Sequence, residues 1–243
     1  KRNGTKNLEP VNTLIDPFMK RMEYMTTHQN ELNGVPTGLT DLDRLLGGLK
    51  NSDLDIIAAR PSVGKSSLAM TIAQNAAGKY GKTIAFFSLE MSKEQLFNRL
   101  ISMLSGIDQE RIASATLEDD EWVRMTEALD AVSSMPIYID DTGVVTPAYV
   151  KSKLRNLMAT GVTPDLVIVD YLQYMCATDI GKKSENRVLE VGRISADLKK
   201  IAKDLNLPVL ALAQLSRSVE SRNSKVPMLS DLRESGSIEN DAD

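Results

Sequence analysis

Short apolar runs alternate with longer helical patterns along the chain beyond Gly34. Five of these runs are four to six residues long and apolar almost throughout, as strands buried on both faces are. Strands that alternate with helices indicate βαβ units and a parallel sheet. The pattern therefore predicts an α/β fold with a mostly parallel, twisted sheet flanked by helices. The predicted strands are Leu54–Ala58, Thr83–Ser88, Ile137–Asp140, Leu166–Asp170 and Val209–Ala213.

The helical stretches carry residues typical of helix ends. Serine and threonine suit the N-cap, proline suits the first helical position, and glycine suits the position after the last turn. The longest helix is predicted from about residue 184 to residue 205, with apolar residues at helical spacing that indicate a core-facing side. The predicted end signals are a capping box at Ser92 and Gln95, an N-cap at Thr146 before Pro147, and helix-ending glycines at Gly78 and Gly161.

The amino-terminal segment differs from the rest of the chain. Residues 1–10 are polar and show no apolar periodicity, which predicts a flexible tail. Asp16 and Pro17 predict the N-cap and first position of a short helix with an apolar stripe. This stripe would pack either against its own domain or against a neighbouring subunit, and the pattern leaves both possibilities open. We therefore expect residues 1–33 to form a linker and residues 34–243 a single domain. The stripe consists of Phe18, Met19, Met22 and Met25.

Composition narrows the class of protein. The sequence is 42% apolar and 26% charged, and no run approaches the roughly 18 apolar residues of a membrane span, so membrane residence is not expected. The single cysteine, Cys176, cannot form an intramolecular disulfide, and the polar amino terminus lacks the apolar stretch of a signal peptide. The reducing cytoplasm is therefore the expected location.

The net charge of −4 hides a divided distribution. Residues 108–141 contain ten acidic side chains and two arginines, a local balance of −8. Residues 179–225 contain ten basic and six acidic side chains, a balance of +4. Solvated helix faces explain both charged stretches as well as a binding surface does. Any contact with nucleic acid is expected in the second stretch, residues 179–225.

The run from Ala59 to Ser66 follows an apolar strand directly and opens a helical pattern. A phosphate-binding loop needs inward backbone N–H groups, a lysine for the terminal phosphates and a hydroxyl for Mg²⁺, which Gly64, Lys65 and Ser66 supply. Ala59 replaces the first glycine of the usual pattern, so the loop must begin in a conformation that tolerates a Cβ. We predict a nucleoside-triphosphate site at Ala59, Arg60, Pro61, Ser62, Val63, Gly64, Lys65 and Ser66.

Three polar residues lie at or just beyond the ends of predicted strands. Asp170 offers a rigidly held carboxylate for Mg²⁺, although a strand-terminal aspartate is often only a turn residue. Glu90 is the candidate base that orients the attacking water, with a helix-capping role before Ser92 as the alternative. Gln214 is the candidate sensor of the γ-phosphate, with a plain turn residue as the alternative.

The other reactive side chains favour structural roles. Asp140 and Asp141 lie in the acidic stretch and are interpreted as a solvated turn. Cys176 has no histidine nearby in sequence and is interpreted as inert, and His28 lies in the linker, away from the phosphate loop. Trp122 and the methionines are expected in the core.

Six ordered segments closely resemble the DnaB-type replicative helicases, and the resemblance spans Val11 to Asp243. The segments are PTGLTDLD at 36–43, AARPS at 58–62, SLEMS at 88–92, VDYLQ at 169–173, QLSR at 214–217 and SDLRESG at 230–236.

The resemblance implies a RecA-like ATPase fold and a ring-shaped homohexamer that binds ATP between subunits. Such a ring encircles single-stranded DNA, moves 5′ to 3′ and unwinds the replication fork in a bacterial or phage-infected cell, with a helicase loader and a primase as partners. The helix near Phe18 resembles the linker helix that docks on an adjacent subunit. The family also has a separate amino-terminal domain and a segment beyond Asp243 with an arginine finger, so we expect this chain to be a fragment.

Residue roles follow from the resemblance. Lys65 and Ser66 would hold phosphates and Mg²⁺, Glu90 would activate water, and Asp170 would position the metal. Gln214 would link the nucleotide state to DNA. The remaining candidates are Arg99 in the nucleotide pocket, Arg233, Glu234 and Gly236 in a central-channel loop on the DNA backbone, and Lys182, Lys183 and Arg187 as supporting DNA contacts.

Two other functions stay open at this point. A RecA-like recombinase would form filaments or rings without unwinding DNA. A non-catalytic scaffold would bind nucleotide only to hold a ring together.

Overall fold

Five strands form a single parallel sheet in the computed structural model of the protein. The structure describes residue 8 and residues 10–27, 32–176, 187–222, 224–235 and 238–243. Within these residues the strand order is β1–β5–β4–β2–β3, and every pairing is parallel. All five predicted strands are present, with ends within one residue of the prediction. They are β1 Leu54–Ala59, β2 Ile84–Ser88, β3 Ile137–Asp140, β4 Leu166–Asp170 and β5 Val209–Gln214.

Helices connect the strands and cover both faces of the sheet, which confirms the predicted α/β class. Short 3₁₀ turns cover Val11–Leu14, Leu172–Tyr174 and Leu229–Ser235. The α-helices are α1 Ile15–Thr27, α2 Thr40–Leu46, α3 Lys65–Tyr80, α4 Lys93–Ser105, α5 Gln109–Ala113, α6 Asp119–Ser133, α7 Pro147–Ala159, α8 Arg187–Leu205, α9 Ser218–Ser221 and α10 Ile238–Asp241.

Two hydrophobic cores lie on opposite faces of the sheet. Val167 and Val169 of β4 pack with residues of α7 and α8, whereas Leu166 and Ile168 pack with residues of α3 and α4. Because successive side chains of a strand point to opposite faces, a central strand between two cores must be apolar throughout. This requirement explains the uninterrupted apolar run that predicted β4.

The carboxyl ends of the strands lie along one edge of the sheet. Ala59 at the end of β1 is paired with Gln214 at the end of β5, and Ser88 of β2 is paired with Asp170 of β4. Ligand sites of open α/β sheets form at this edge, where loops and helix N-termini meet. The register therefore brings the predicted polar residues together.

Most predicted helix ends are correct, and Gly78 is wrong. The capping box at Ser92 and the Thr146 cap are present, and Gly161 adopts φ of 91° just beyond α7. Gly78 lies inside α3, which ends at Tyr80 and is capped by Gly81 at φ of 61°. A Cβ at Gly78 would lie 2.8 Å from Met135 Cε, so this glycine serves packing.

The start of α1 also differs from the prediction. A 3₁₀ turn runs directly into the helix at Ile15, so Asp16 and Pro17 lie within the first turn rather than at the N-cap position. Pro17 is tolerated there because the first helical N–H groups have no partner within the helix. The apolar stripe is open to solvent, with Phe18 59% and Met19 51% exposed.

Trp122 is 47% exposed, so its predicted core position is wrong. It lies on the outer side of α6, whereas Glu121 and Ala128 occupy the buried side. The prediction for the methionines is right for Met70 and Met175, which are buried, and wrong for Met228, which is 59% exposed. Among the described residues, no helix is both long and apolar enough to cross a membrane.

Candidate nucleotide-binding site

The phosphate loop connects β1 to α3 through two residues with positive φ. Ser62 has φ of 65° and Gly64 has φ of 104°, and these values turn the chain into the first turn of the helix. Open space surrounds Gly64, so its backbone conformation, rather than crowding, favours glycine. Ala59 is still part of β1, which explains how its Cβ is accommodated at the start of the loop.

A cavity of about 530 Å³ lies over this loop. Lys65 from α3, Glu90 from the turn that follows β2 and Arg99 from α4 all face it. Gln214 from the end of β5 joins them, so four predicted catalytic residues from four elements share one space. The predicted loop residues line the cavity except Val63, whose side chain is 71% exposed and turned elsewhere.

Lys65 and Asp170 form a loose ion pair at the base of the cavity. Lys65 Nζ lies 3.8 Å from Asp170 Oδ1, and the aspartate side chain is fully buried. Burial lowers the pKa of Lys65, although Asp170 and Glu90 act in the opposite direction. Burial also raises the pKa of Asp170, and Ser66, Lys65 and Arg99 only partly oppose this. Both ions have therefore lost more solvation than their mutual attraction restores.

The carboxylate of Asp170 has unused capacity for a ligand. Neither of its oxygens accepts a hydrogen bond of ordinary geometry from the part of the chain that the structure describes. The Ser66 hydroxyl lies close enough to lower the pKa of this carboxyl. A buried carboxylate beside a hydroxyl, next to a phosphate loop, matches the oxygen ligands that Mg²⁺ prefers.

Tyr171 is a site residue that sequence reasoning missed. Lys65 Nζ lies 3.7 Å from the centroid of its ring, within the range of a cation–π interaction. The ring packs against Tyr174 with centroids 4.6 Å apart, and burial raises the pKa of its hydroxyl, which stays protonated. The sequence signals for this residue are its position directly after Asp170 and its place in the VDYLQ segment at 169–173.

Glu90 and Arg99 supply opposite charges to the cavity. Ser92 and Gln95 already form the cap of α4, so the alternative that Glu90 acts as this cap is not supported. Its side chain is exposed at the cavity. Arg99 is half-buried, and its Nε has no hydrogen-bond partner among the described residues. A cation held in this way can interact with an anionic ligand.

Gln173 fixes the end of β5 and was also missed. Its Nε2 donates to the carbonyl oxygen of Gln214 at 3.2 Å, and its Oε1 accepts from the backbone N–H of Gln214 at 3.1 Å. Gln214 is therefore a held strand residue and not a turn residue. Its backbone is immobilised while its side chain faces the cavity.

Arg60 points its guanidinium toward another segment, contrary to a simple phosphate-binding role. Its Nε donates to Glu220 Oε1 at 2.7 Å, and its Nη1 donates to the carbonyl oxygen of Leu215 at 2.8 Å. Both acceptors belong to the segment that follows β5. The residue lines the cavity, but these hydrogen bonds already occupy two of its five N–H donors.

A sequence model of the DnaB-like helicase C terminal domain matches residues 34–243. The chain belongs to this family. It is 40% identical over its whole length to the replicative DNA helicase DnaC of Bacillus subtilis (strain 168), covering 53% of that protein. It is 44% identical over 98% of its length to the replicative DNA helicase DnaB of Geobacillus stearothermophilus, covering 51% of it. The chain thus spans about half the length of these relatives.

Solved structures confirm the RecA-like fold of the family. One of them, an ATPase domain, superimposes with a TM-score of 0.87 at 34% identity, covering 100% of this chain and 82% of that one. A DnaB-like replicative helicase, solved in a study of its interactions with primase, gives a TM-score of 0.84 at 34% identity. That match covers 99% of this chain and 57% of the helicase chain. The predicted resemblance is confirmed.

The candidate DNA contacts are only partly described. Arg233 and Glu234 lie on the 3₁₀ turn Leu229–Ser235, and Arg187 is the first residue of α8. Lys182, Lys183 and Gly236 lie outside the described residues, as does His28. The backbone N–H of Ser216 donates to the carbonyl oxygen of Asp231 at 2.9 Å, which attaches this turn to the segment after β5.

Asp140 and Asp141 have structural partners. Asp140 accepts hydrogen bonds from the Thr142 backbone and the Tyr149 hydroxyl and pairs with Lys153. Burial raises its pKa, but these partners outweigh burial and lower the pKa overall. Asp141 accepts from the N–H of Lys93 at the start of α4.

Neither aspartate thus belongs to a second reactive site. The described ranges also contain no group of three or more histidine, cysteine, aspartate or glutamate side chains that could hold a metal. Cys176 is a half-buried thiol outside the cavity.

Proposed function

We propose that the chain is the ATP-hydrolysing motor domain of a replicative DNA helicase. The observation that carries the proposal is the convergence of Lys65, Glu90, Arg99 and Gln214 on one cavity over the phosphate loop, with Asp170 buried at its base. Membership of the helicase family supports the same function. On this proposal residues 1–33 are a linker and residues 34–243 are the motor.

The loop binds the triphosphate of ATP. The first N–H groups of α3 have no partner within the helix and point toward a bound anion, and the helix dipole adds a favourable field. Lys65 contacts the terminal phosphates, whose negative charge offsets the solvation that burial has removed from the lysine. Ser66 and Asp170 hold Mg²⁺, which neutralises negative charge on the phosphates when it is bound.

Hydrolysis uses three further residues that line the cavity, Glu90, Arg99 and Gln214. Glu90 accepts a proton from the attacking water as the water oxygen bonds to the γ-phosphorus and the bond from that phosphorus to the ADP oxygen breaks. Arg99 stabilises the charge that develops on the phosphoryl oxygens. Gln214 lies where it can detect whether the γ-phosphate is present and pass this on to the segment that follows β5.

The helicase acts as a homohexameric ring with ATP between subunits. The ring encircles single-stranded DNA and moves along it from 5′ to 3′. Arg233, Glu234 and Gly236 contact the DNA backbone, with Lys182, Lys183 and Arg187 in support. Phosphate contacts of this kind carry no sequence information, as movement along any strand requires. A helicase loader and a primase are the expected partners in the cytoplasm, and a related helicase was solved in a study of its interactions with primase.

Replacing Glu90 tests the proposal. Glu90→Gln keeps the size and polarity of the side chain but removes the base, so steady-state ATP hydrolysis should fall by about 10² or more. Affinity for a fluorescent ATP analogue should stay within about twofold, since the carboxylate is not a phosphate ligand. Glu94→Gln is the matched control, because Glu94 is an exposed glutamate in the first turn of α4, four residues after Glu90, and does not line the cavity.

Equal hydrolysis by the wild type and Glu90→Gln would rule out this catalytic role. Absence of hydrolysis in the wild-type protein would contradict the motor function itself and favour a nucleotide-bound scaffold.

A further inference from the structure

Arg60 connects the phosphate loop to the segment that follows β5. The guanidinium donates from Nε to Glu220 Oε1 at 2.7 Å and from Nη1 to the carbonyl oxygen of Leu215 at 2.8 Å. The Arg60 side chain is only 16% exposed, whereas Glu220 is 60% exposed. The guanidinium of Arg60 is therefore held by a backbone carbonyl on its buried side and by a carboxylate on its solvent side.

Leu215 is bound to the phosphate loop through both of its backbone groups. Its N–H donates to the carbonyl oxygen of Ala59 at 3.0 Å, and its carbonyl oxygen accepts from Arg60. A displacement of Ala59 or Arg60 must therefore displace Leu215 or break one of these hydrogen bonds.

The next residue continues the connection. The N–H of Ser216 donates to the carbonyl oxygen of Asp231 at 2.9 Å. The Asp231 carboxylate is itself held by the backbone N–H of Met228 at 2.7 Å and by the guanidinium of Arg222. Asp231 lies two residues before Arg233 on the same 3₁₀ turn.

We propose that Arg60 is a positioning residue that couples occupancy of the phosphate loop to the DNA-binding turn at Arg233. The inference rests on the proposed function. When phosphates bind, the N–H groups that follow Arg60 turn toward them. The guanidinium of Arg60 transmits this movement of the loop to Leu215 and Glu220. The hydrogen bond from Ser216 then moves Asp231 and the turn that carries Arg233.

A coupling role differs from direct phosphate binding in a measurable way. A phosphate ligand contributes to nucleotide affinity whether or not DNA is present. A coupling residue changes the factor by which nucleotide alters DNA affinity, and by linkage the same factor describes the effect of DNA on nucleotide. The guanidinium of Arg60 is already hydrogen-bonded to two protein acceptors. We therefore expect Arg60 to change the coupling factor rather than the nucleotide affinity itself.

The test measures single-stranded DNA affinity of the full-length protein with and without a non-hydrolysable ATP analogue. Fluorescence anisotropy of a labelled oligo(dT) gives both dissociation constants, and their ratio is the coupling factor. Arg60→Ala should reduce this factor by about 3- to 10-fold. Its DNA affinity without nucleotide should change by less than about twofold.

Two further variants separate coupling from a general loss of stability. Glu220→Gln removes the charge from a largely exposed side chain and should lower the coupling factor in the same direction but by less. Lys151→Ala is the matched control, since Lys151 pairs with Asp204 at a comparable exposure of 25% away from the cavity. It should leave the factor unchanged.

An unchanged coupling factor in Arg60→Ala and Glu220→Gln would overturn the inference while leaving the motor function intact. A large loss of nucleotide affinity in Arg60→Ala, with normal coupling in Glu220→Gln, would instead identify Arg60 as a phosphate ligand. A wild-type protein that binds no DNA, or whose DNA affinity is the same with and without nucleotide, would contradict the proposed function as well.

Discussion

Gly64 holds a backbone conformation that is unfavourable for residues with a Cβ. Its φ is 104°, and forcing an L side chain into such a conformation costs about 1–2 kcal/mol. Gly64→Ala should therefore shift the loop away from the shape that presents N–H groups to phosphate. We expect ATP-analogue affinity to fall about tenfold, with little change in the far-ultraviolet circular dichroism spectrum.

Gly143→Ala provides the control for this substitution. Gly143 also has open space around a Cβ position but no positive φ, so the added methyl group should leave nucleotide affinity unchanged. Equal affinities of Gly64→Ala and the wild type would show that the loop does not use this conformation to bind phosphate.

The residues that carry chemistry could be predicted because each ends an apolar strand or begins a helix. Lys65, Asp170 and Glu90 follow from these local patterns, and the structure brings them to one cavity. The partners of Gln173 and Arg60 could not be predicted, because these contacts join residues 41 and 160 positions apart in sequence. They depend on strand order, which no local pattern contains.

The β1 strand places an aspartate in a surrounding that disfavours its charge. Burial raises the pKa of Asp55 to about 6, and the nearby carboxylates of Asp53 and Asp243 add to the effect, with Lys199 and Lys50 opposing it. One oxygen of Asp55 is buried without a hydrogen-bond partner among the described residues. The charged form therefore weakens the packing of this strand at neutral pH.

Asp55→Asn should stabilise the domain in a pH-dependent way. Between about pH 4 and pH 6 the folded state binds more protons at Asp55 than the unfolded state, so wild-type stability falls as the pH rises. The gain from asparagine should be about 1 kcal/mol above pH 7, allowing for partial solvent screening, and should vanish below about pH 4.

Chemical denaturation at pH 4 and pH 7.5 measures this difference. Asp130→Asn on the exposed side of α6 serves as the control and should change the unfolding free energy by less than about 0.5 kcal/mol at either pH. A gain for Asp55→Asn that is equal at both pH values would show that its charge is not destabilising.

At the scale of an element, the helix ends show which features residues close in sequence can predict. The caps at Ser92 and Thr146 were predictable, because a side chain close in sequence satisfies the first N–H groups. Gly78 was assigned wrongly because two glycines stand near the end of α3, and only the contact with Met135 reveals that Gly78 serves packing. Long-range packing thus decides between local signals of equal strength.

At the scale of the whole molecule, α1 is the element that the domain leaves uncovered. The apolar side chains Leu14, Ile15, Phe18, Met19 and Met22 are all at least 42% exposed in the single chain. The sequence left open whether the stripe packs against its own domain or against a neighbouring subunit. The described residues of this chain do not pack over it. A neighbouring subunit of the proposed ring is therefore the expected cover.

Phe18→Glu should weaken assembly of the full-length protein. A charge in the middle of a buried apolar stripe costs several kcal/mol, so the mass measured by light scattering should shift toward smaller species. Lys20→Glu adds an acidic group on the opposite side of the same helix and should keep the assembly. An unchanged mass for Phe18→Glu would show that this stripe does not contact a neighbouring subunit.

Unwinding of a forked DNA duplex tests the central claim most directly, because it requires nucleotide binding, hydrolysis and DNA movement together. The full-length protein should separate the strands of a fork with a 5′ single-stranded tail only when ATP and Mg²⁺ are present, and Glu90→Gln should not. Hydrolysis of ATP that leaves the strands paired under these conditions would contradict the assignment of this domain as a helicase motor.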